Sequence, residues 1–149
     1  MDTAALPQDF KDFLKLLNEK QVEYLLLGGY AVGYHGYPRA TADIDFWIRL
    51  SKDNAIKMMQ VITAFGFGGA DCSESLFMKE GNIVRMGHPP IRIEVINAAS
   101  GVDFESCYNR RVLATIDGVQ VSLISLKDLK VNKKASGRSK DIADLENLP

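Results

Sequence analysis

Residues Leu25 to Ile48 read LLLGGYAVGYHGYPRATADIDFWI, and this stretch decides the fold. An apolar run closed by Gly28-Gly29 reads as a buried strand and its turn, and a short helix to about Gly36 follows. Pro38 breaks that helix, and Ala42 to Ile48 forms a second strand that carries Asp43 and Asp45. A strand repeats every two residues, so the two aspartates project from one face, roughly 7 Å apart along the chain. Two carboxylates side by side repel each other. Without a cation between them, one must take up a proton or turn to solvent. The pattern therefore invites a hard divalent cation, Mg2+ or alternatively Mn2+.

Upstream, Pro7 suits the first turn of a helix in which Phe10, Phe13, Leu14 and Leu17 recur at helical spacing through Lys20. Downstream, Lys52 to Phe65 reads as a crossover helix closed by Gly66 to Gly69. Leu76 to Lys79 and Ile83 to Met86 are strand candidates around Glu80-Gly81-Asn82. Ile91 to Ile96 alternates, with Ile91, Ile93 and Val95 on one face and Arg92 and Glu94 on the other. Val112 to Ile116 and Val119 to Leu123 flank Asp117-Gly118, a two-residue hairpin signal. Ser125 caps a helical tail, with Asp128 three residues on, a break near Gly137 and a last helix around Asp141 to Asn147. The order predicts one α+β domain over residues 1–149, a mixed β-sheet with flanking helices and a helical C-terminal tail.

With 149 residues, 46% of them hydrophobic, the chain is long enough for one core. Lys and Arg number 18 against 19 Asp and Glu, a balance that excludes a surface basic all over and leaves room for a local basic patch. The start MDTAALPQDF lacks a basic segment followed by an apolar core, and the apolar run from Tyr24 to Tyr34 is too short to span a bilayer. A cytoplasmic protein without a membrane partner is expected. Cys72 and Cys107 have no ligand or partner spacing and are expected to be reduced and structural.

Nucleotidyl transfer needs a triphosphate held, its charge neutralised and an acceptor oxygen aligned with the α-phosphorus; metal ions held by carboxylates do much of this. Asp43 and Asp45 suit the role. Glu94, on the polar face of a neighbouring strand, is the candidate third carboxylate. Gly28 and Gly29 offer backbone that approaches phosphate without a Cβ, at the positive end of the following helix.

With these residues in place, the sequence resembles the nucleotidyltransferase fold superfamily related to DNA polymerase β, whose pattern is a hydrophobic strand, Gly-Gly, Asp-x-Asp and a later third acid. The closer likeness is to the small AbiEii-like group, which includes nucleotidyltransferases of type IV toxin-antitoxin systems. There the run Arg-x-Thr-x-Asp-x-Asp matches Arg39, Thr41, Asp43 and Asp45, and a late Lys and Asp pair matches NKKASGRSKDIADLE. The resemblance implies catalytic, metal-holding roles for Asp43, Asp45 and Glu94. It implies nucleotide binding by Gly28, Gly29, Arg39, Thr41, Lys133 and Asp141, with Lys130, Lys134 and Asp144 as neighbours able to take the last two parts. It further implies an NTP as donor, an acceptor left open between tRNA and protein, and a cognate antitoxin or partner subunit. The third acid is often Asp in the family, so the extra methylene of Glu94 bears on where it would hold an acceptor-side metal.

Plainer readings compete. Glu94 can pair with Arg92 or Arg85 as a strand contact, and the run Lys127, Lys130, Lys133, Lys134, Arg138 and Lys140 can be a solvated helix face. His35 and His88 lack ligand spacing, and Tyr30, Tyr34 and Tyr37 suit packing of the short helix. A binding module that keeps the fold without turnover is the alternative to an enzyme.

Overall fold

The computed structural model describes residues 5–67, 72–88 and 90–149; Gly68 and Gly69, expected to close the crossover helix, lie outside them. Helix α1 (Gln8–Glu19) buries Phe10, Phe13, Leu14 and Leu17, the four positions that its period predicts. Strand β1 (Tyr24–Leu27) is buried at every residue, and helix α2 (Gly28–Tyr34) begins on the next residue. Strand β2 (Asp43–Ile48) leads to helix α3 (Lys52–Phe65). Ser51 Oγ accepts from the Asn54 N–H at the start of α3, and Gly66 ends it in the left-handed conformation at φ 97°.

Residues Ser75–Met78 form a short helix, α4, which corrects the strand expected over Leu76 to Lys79. The cause lies in Asn97, a buried side chain that donates to the carbonyls of Phe77 and Lys79 and accepts from the Gly81 N–H. Backbone groups that a strand would offer to a neighbour are satisfied there by one amide. Strands β3 (Ile83–His88) and β4 (Ile91–Ile96) pair antiparallel. Helix α5 (Phe104–Asn109), capped by Asp103, was not anticipated, because six residues hold too little of a period to read. Strands β5 (Val112–Ile116) and β6 (Val119–Leu123) form the expected hairpin, with Asp117 and Gly118 at φ 49° and 79°. Helix α6 (Leu126–Ser136) is capped by Ser125 and ended by left-handed Gly137, and α7 (Ser139–Asn147) follows.

The six strands form one mixed sheet in the order β3-β4-β2-β1-β6-β5. Strand β1 runs antiparallel to β2 and parallel to β6, and β2 runs parallel to β4. This is the expected architecture. Cys72 and Cys107 are free thiols. Among the described residues no helix is long and apolar enough to cross a membrane.

Candidate active site

The parallel register of β2 and β4 builds the floor of the site. Asp43 lies opposite Arg92 and Asp45 opposite Glu94, so three carboxylates and a guanidinium share one face of the sheet. Arg92 grips Asp43 through Nε at 3.1 Å and Nη2 at 2.7 Å, and its Nη2 lies 3.8 Å from Glu94. Arg85, across from Glu94 on β3, donates to Glu94 Oε2 at 3.0 Å. Asp45 has no ion-pair partner among the described residues. Burial and the charges of Glu94 and Asp43 push its carboxyl up to about 6, against a partial offset from Lys140 and Lys133.

Gly28 starts α2 at φ 66°, and a Cβ there would overlap the Asp45 carboxylate. A Cβ on Gly29 would stand 2.7 Å from Cβ and Oγ1 of Thr41. Gly28 is therefore required by close approach and by its left-handed φ, and Gly29 by close approach. Thr41 Oγ1 donates to the Asp43 carbonyl at 3.1 Å, which ties the segment before β2 to the aspartate strand.

These elements border a cleft of about 620 Å³ lined by Gly28, Gly29, Arg39, Thr41, Asp43, Asp45, Arg92 and Lys133. Arg138, Lys140, Ser100, Asn132 and Ser136 complete its polar lining, with Leu27, Ala42, Ile83, Ile96, Ala98 and Ala99 as its apolar part. Ser100, Asn132 and Ser136 were not singled out from sequence; the bond from Asn132 Nδ2 to the Ser100 carbonyl joins segments 32 residues apart. Of the late basic run, Lys133, Arg138 and Lys140 line the cleft; Lys133 is buried, while Arg138 and Lys140 are exposed. Lys134 is exposed, and Lys130 turns to the Pro149 carbonyl.

Glu94 and Asp141 do not line the cleft. Glu94 stands against Arg85, and Asp141 is buried against Lys133 at 3.1 Å and Arg138 at 2.9 Å. Burial alone would raise the Asp141 carboxyl, but the hydrogen bonds from Arg138 and Lys133 outweigh it and hold it at about 2. Asp144 behaves likewise: burial opposes, and the bonds from Arg39 and Lys133 hold it below the usual carboxylate range.

For a divalent cation, the donor chemistry fits at Asp43 and Asp45, two hard oxygen ligands, one of them carrying uncompensated charge. Among the described residues no three His, Cys, Asp or Glu side chains stand close enough to share an ion, and arginines engage Asp43 and Glu94.

Residues 4–148 match the family model described as nucleotidyltransferase of unknown function (DUF6036). No curated protein matches the sequence significantly. Among solved structures, the chain is similar to a Thermotoga maritima protein assigned to the nucleotidyltransferases, with TM-score 0.61 and 15% identity over 93% of this chain and 89% of that one. It is similar also to the antibiotic-resistance factor ANT(2'')-Ia, with TM-score 0.60 and 13% identity over 93% and 80%. The lincosamide antibiotic adenylyltransferase LnuA gives TM-score 0.58 and 13% identity over 96% of both chains. At these identities the likeness is one of fold.

Proposed function

The chain belongs to this nucleotidyltransferase family, and from that premise we propose that it is a metal-dependent enzyme that moves a nucleoside monophosphate from an NTP to an acceptor hydroxyl. The acceptor oxygen bonds to the α-phosphorus, the bond from the α-phosphorus to the leaving oxygen breaks, pyrophosphate departs and the hydroxyl proton is lost. One observation carries the reading: Asp43 and Asp45 line the same cleft as Arg39, Lys133, Arg138 and Lys140. Acids and cations gathered in one cleft suit a ligand that carries both divalent metal and phosphate.

Asp43 and Asp45 would hold Mg2+ or Mn2+, which when bound supplies charge neutralisation at the phosphates and acidifies the acceptor hydroxyl. Arg39 and Lys133 neutralise the triphosphate, and Gly28 and Gly29 let it approach the backbone. Glu94, released from Arg85, would align the acceptor. The acceptor is a hydroxyl of tRNA or protein, and the AbiEii-like reading makes the chain the toxin of a pair with a cognate antitoxin. Growth arrest on expression, relieved by Asp43→Ala, supports that last step; harmless expression removes it.

The deciding experiment titrates each NTP calorimetrically with and without Mg2+. Wild type is expected to bind only with metal, and Asp45→Asn to lose that binding; equal binding by both overturns the proposal. A second reading, a nucleotide-binding or interaction module without turnover, draws on the arginines that engage Asp43 and Glu94. Metal-dependent NTP binding with no product in the presence of cellular RNA and protein favours it.

A further inference from the structure

The cationic wall is backed by two acids that the cleft itself does not touch. Lys133 Nζ stands 3.1 Å from Asp141 Oδ1 and 3.0 Å from Asp144 Oδ2. Arg39, on the segment between α2 and β2, grips the same Asp144 carboxylate through Nε at 2.7 Å and Nη2 at 2.8 Å. Arg138 grips Asp141 through Nε at 2.9 Å. Asp141 and Asp144 are 0% and 1% exposed, one turn apart on the same side of α7. Arg39, Lys133 and Arg138 line the cleft, while neither acid does.

Stability alone is a poor reason for this network. Removing two carboxylates and an ammonium from water costs about what their attraction returns, and apolar residues of the same shape often serve as well. Ion pairs do something apolar contacts cannot, which is to fix the heads of long cationic side chains at set points. Donors remain for a ligand: a guanidinium has five N–H groups, and Arg39 directs only Nε and Nη2 to Asp144, its Nη1 reaching the Ala40 carbonyl at a long 3.4 Å. An ammonium has three, and Lys133 faces two carboxylates. Three cations share two acids, so the wall keeps a positive excess, to which Lys140 adds.

We propose that Asp144 is the positioning residue of the polyphosphate-binding wall: without meeting the ligand, it sets the Arg39 guanidinium and the Lys133 ammonium at the spacing that receives a chain of phosphates. Asp141 does the same for Lys133 and Arg138, which moves it from ligand contact to support. This rests on the reading of the cleft as a nucleotide site, and it makes a claim that reading does not need.

The test uses inorganic tripolyphosphate without divalent metal, titrated calorimetrically into the whole protein. Charge alone predicts that Asp144→Asn, which deletes a negative charge near an anion site, tightens binding. Positioning predicts the opposite, a loss of about tenfold, the scale of one charge-assisted hydrogen bond. In an Arg39→Gln background the same substitution should cost less, because part of what Asp144 holds is already gone. Unchanged or tighter binding by folded Asp144→Asn overturns the proposal, and so does a wild type that does not bind tripolyphosphate.

If Asp144→Asn fails to fold, Arg39→Lys replaces it. That variant keeps the charge and loses the two-point grip. Several-fold weaker binding upholds the proposal and equal binding overturns it. Tripolyphosphate binding without NTP binding that depends on Asp45 defeats the nucleotidyl reading alone. NTP binding that depends on Asp45, with Asp144→Asn silent, defeats this inference alone.

Discussion

Asp45→Asn should stabilise the metal-free protein while abolishing its metal-dependent nucleotide binding. The Asp45 carboxyl sits at about 6, roughly two units above an ordinary aspartate, mainly through burial and then through Glu94 and Asp43. Two units correspond to about 3 kcal/mol against the charged form, and halving that for water in the open cleft leaves about 1.5 kcal/mol. The sign follows from proton binding. The folded protein holds this proton more tightly than the unfolded chain, so the favourable contribution is complete below the unfolded value of about 4 and is lost as pH rises through about 6. At about pH 8 wild type carries the whole penalty and the asparagine variant none. A chain of this size gains about 2–4 °C in Tm per kcal/mol, so the variant should melt about 3–6 °C higher, and the gain should vanish by about pH 4. Mn2+ should raise the wild-type Tm at the higher pH and leave the variant unmoved, since a cation relieves the same repulsion. Calorimetric melts across this pH range decide it. A variant no more stable than wild type at about pH 8, or a gain that does not change with pH, refutes the reasoning.

Gly28→Ala should destabilise the fold by about 1–3 kcal/mol and abolish NTP binding, because φ is 66° and the new Cβ overlaps Asp45. Gly33→Ala, whose Cβ would meet nothing nearer than Pro38 Cα at 3.8 Å, is the control and should be neutral or slightly stabilising in denaturant titrations. Arg92→Gln removes a guanidinium that competes for Asp43, and Mn2+ binding followed by electron paramagnetic resonance should tighten by about two- to fivefold, the range of a part-exposed ion pair. Unchanged or weaker Mn2+ binding would show that Arg92 is no competitor.

Much of the fold was legible because its signals are local. The period of Phe10, Phe13, Leu14 and Leu17, the Ser51 and Ser125 caps and the Asp117-Gly118 turn each lie within a few residues of what they organise. Leu76 to Lys79 was misread because a short run with three apolar residues fits a strand as well as a helical turn, and Asn97, which bonds the backbone there, lies beyond the next two strands. At the site, the sequence pattern puts Asp43 and Asp45 on one face, but only the β2 and β4 register sets Asp45 beside Glu94 and Asp43 beside Arg92. The burial of Lys133 was hidden for a similar reason. In sequence it belongs to a run of cations indistinguishable from a solvated helix face, and the acids that bury it come after the Gly137 break.

Most of the charge in this cleft is already answered from within. Arg92 holds Asp43, and Asp144 and Asp141, behind the cleft, hold Arg39, Lys133 and Arg138. A ligand that carries metal and phosphate does not meet bare charges there; it exchanges one set of ion pairs for another, so its affinity is a difference between two large terms. The two walls differ in how that exchange proceeds. The cations are held from behind by buried acids and can accept phosphate on their remaining N–H groups without letting go. On the acidic side Arg92, itself a cleft residue, holds Asp43 and must give it up before a cation can take it. Asp45 has nothing to give up, which makes it the residue where metal binding costs least and where loss of the carboxylate should be felt most.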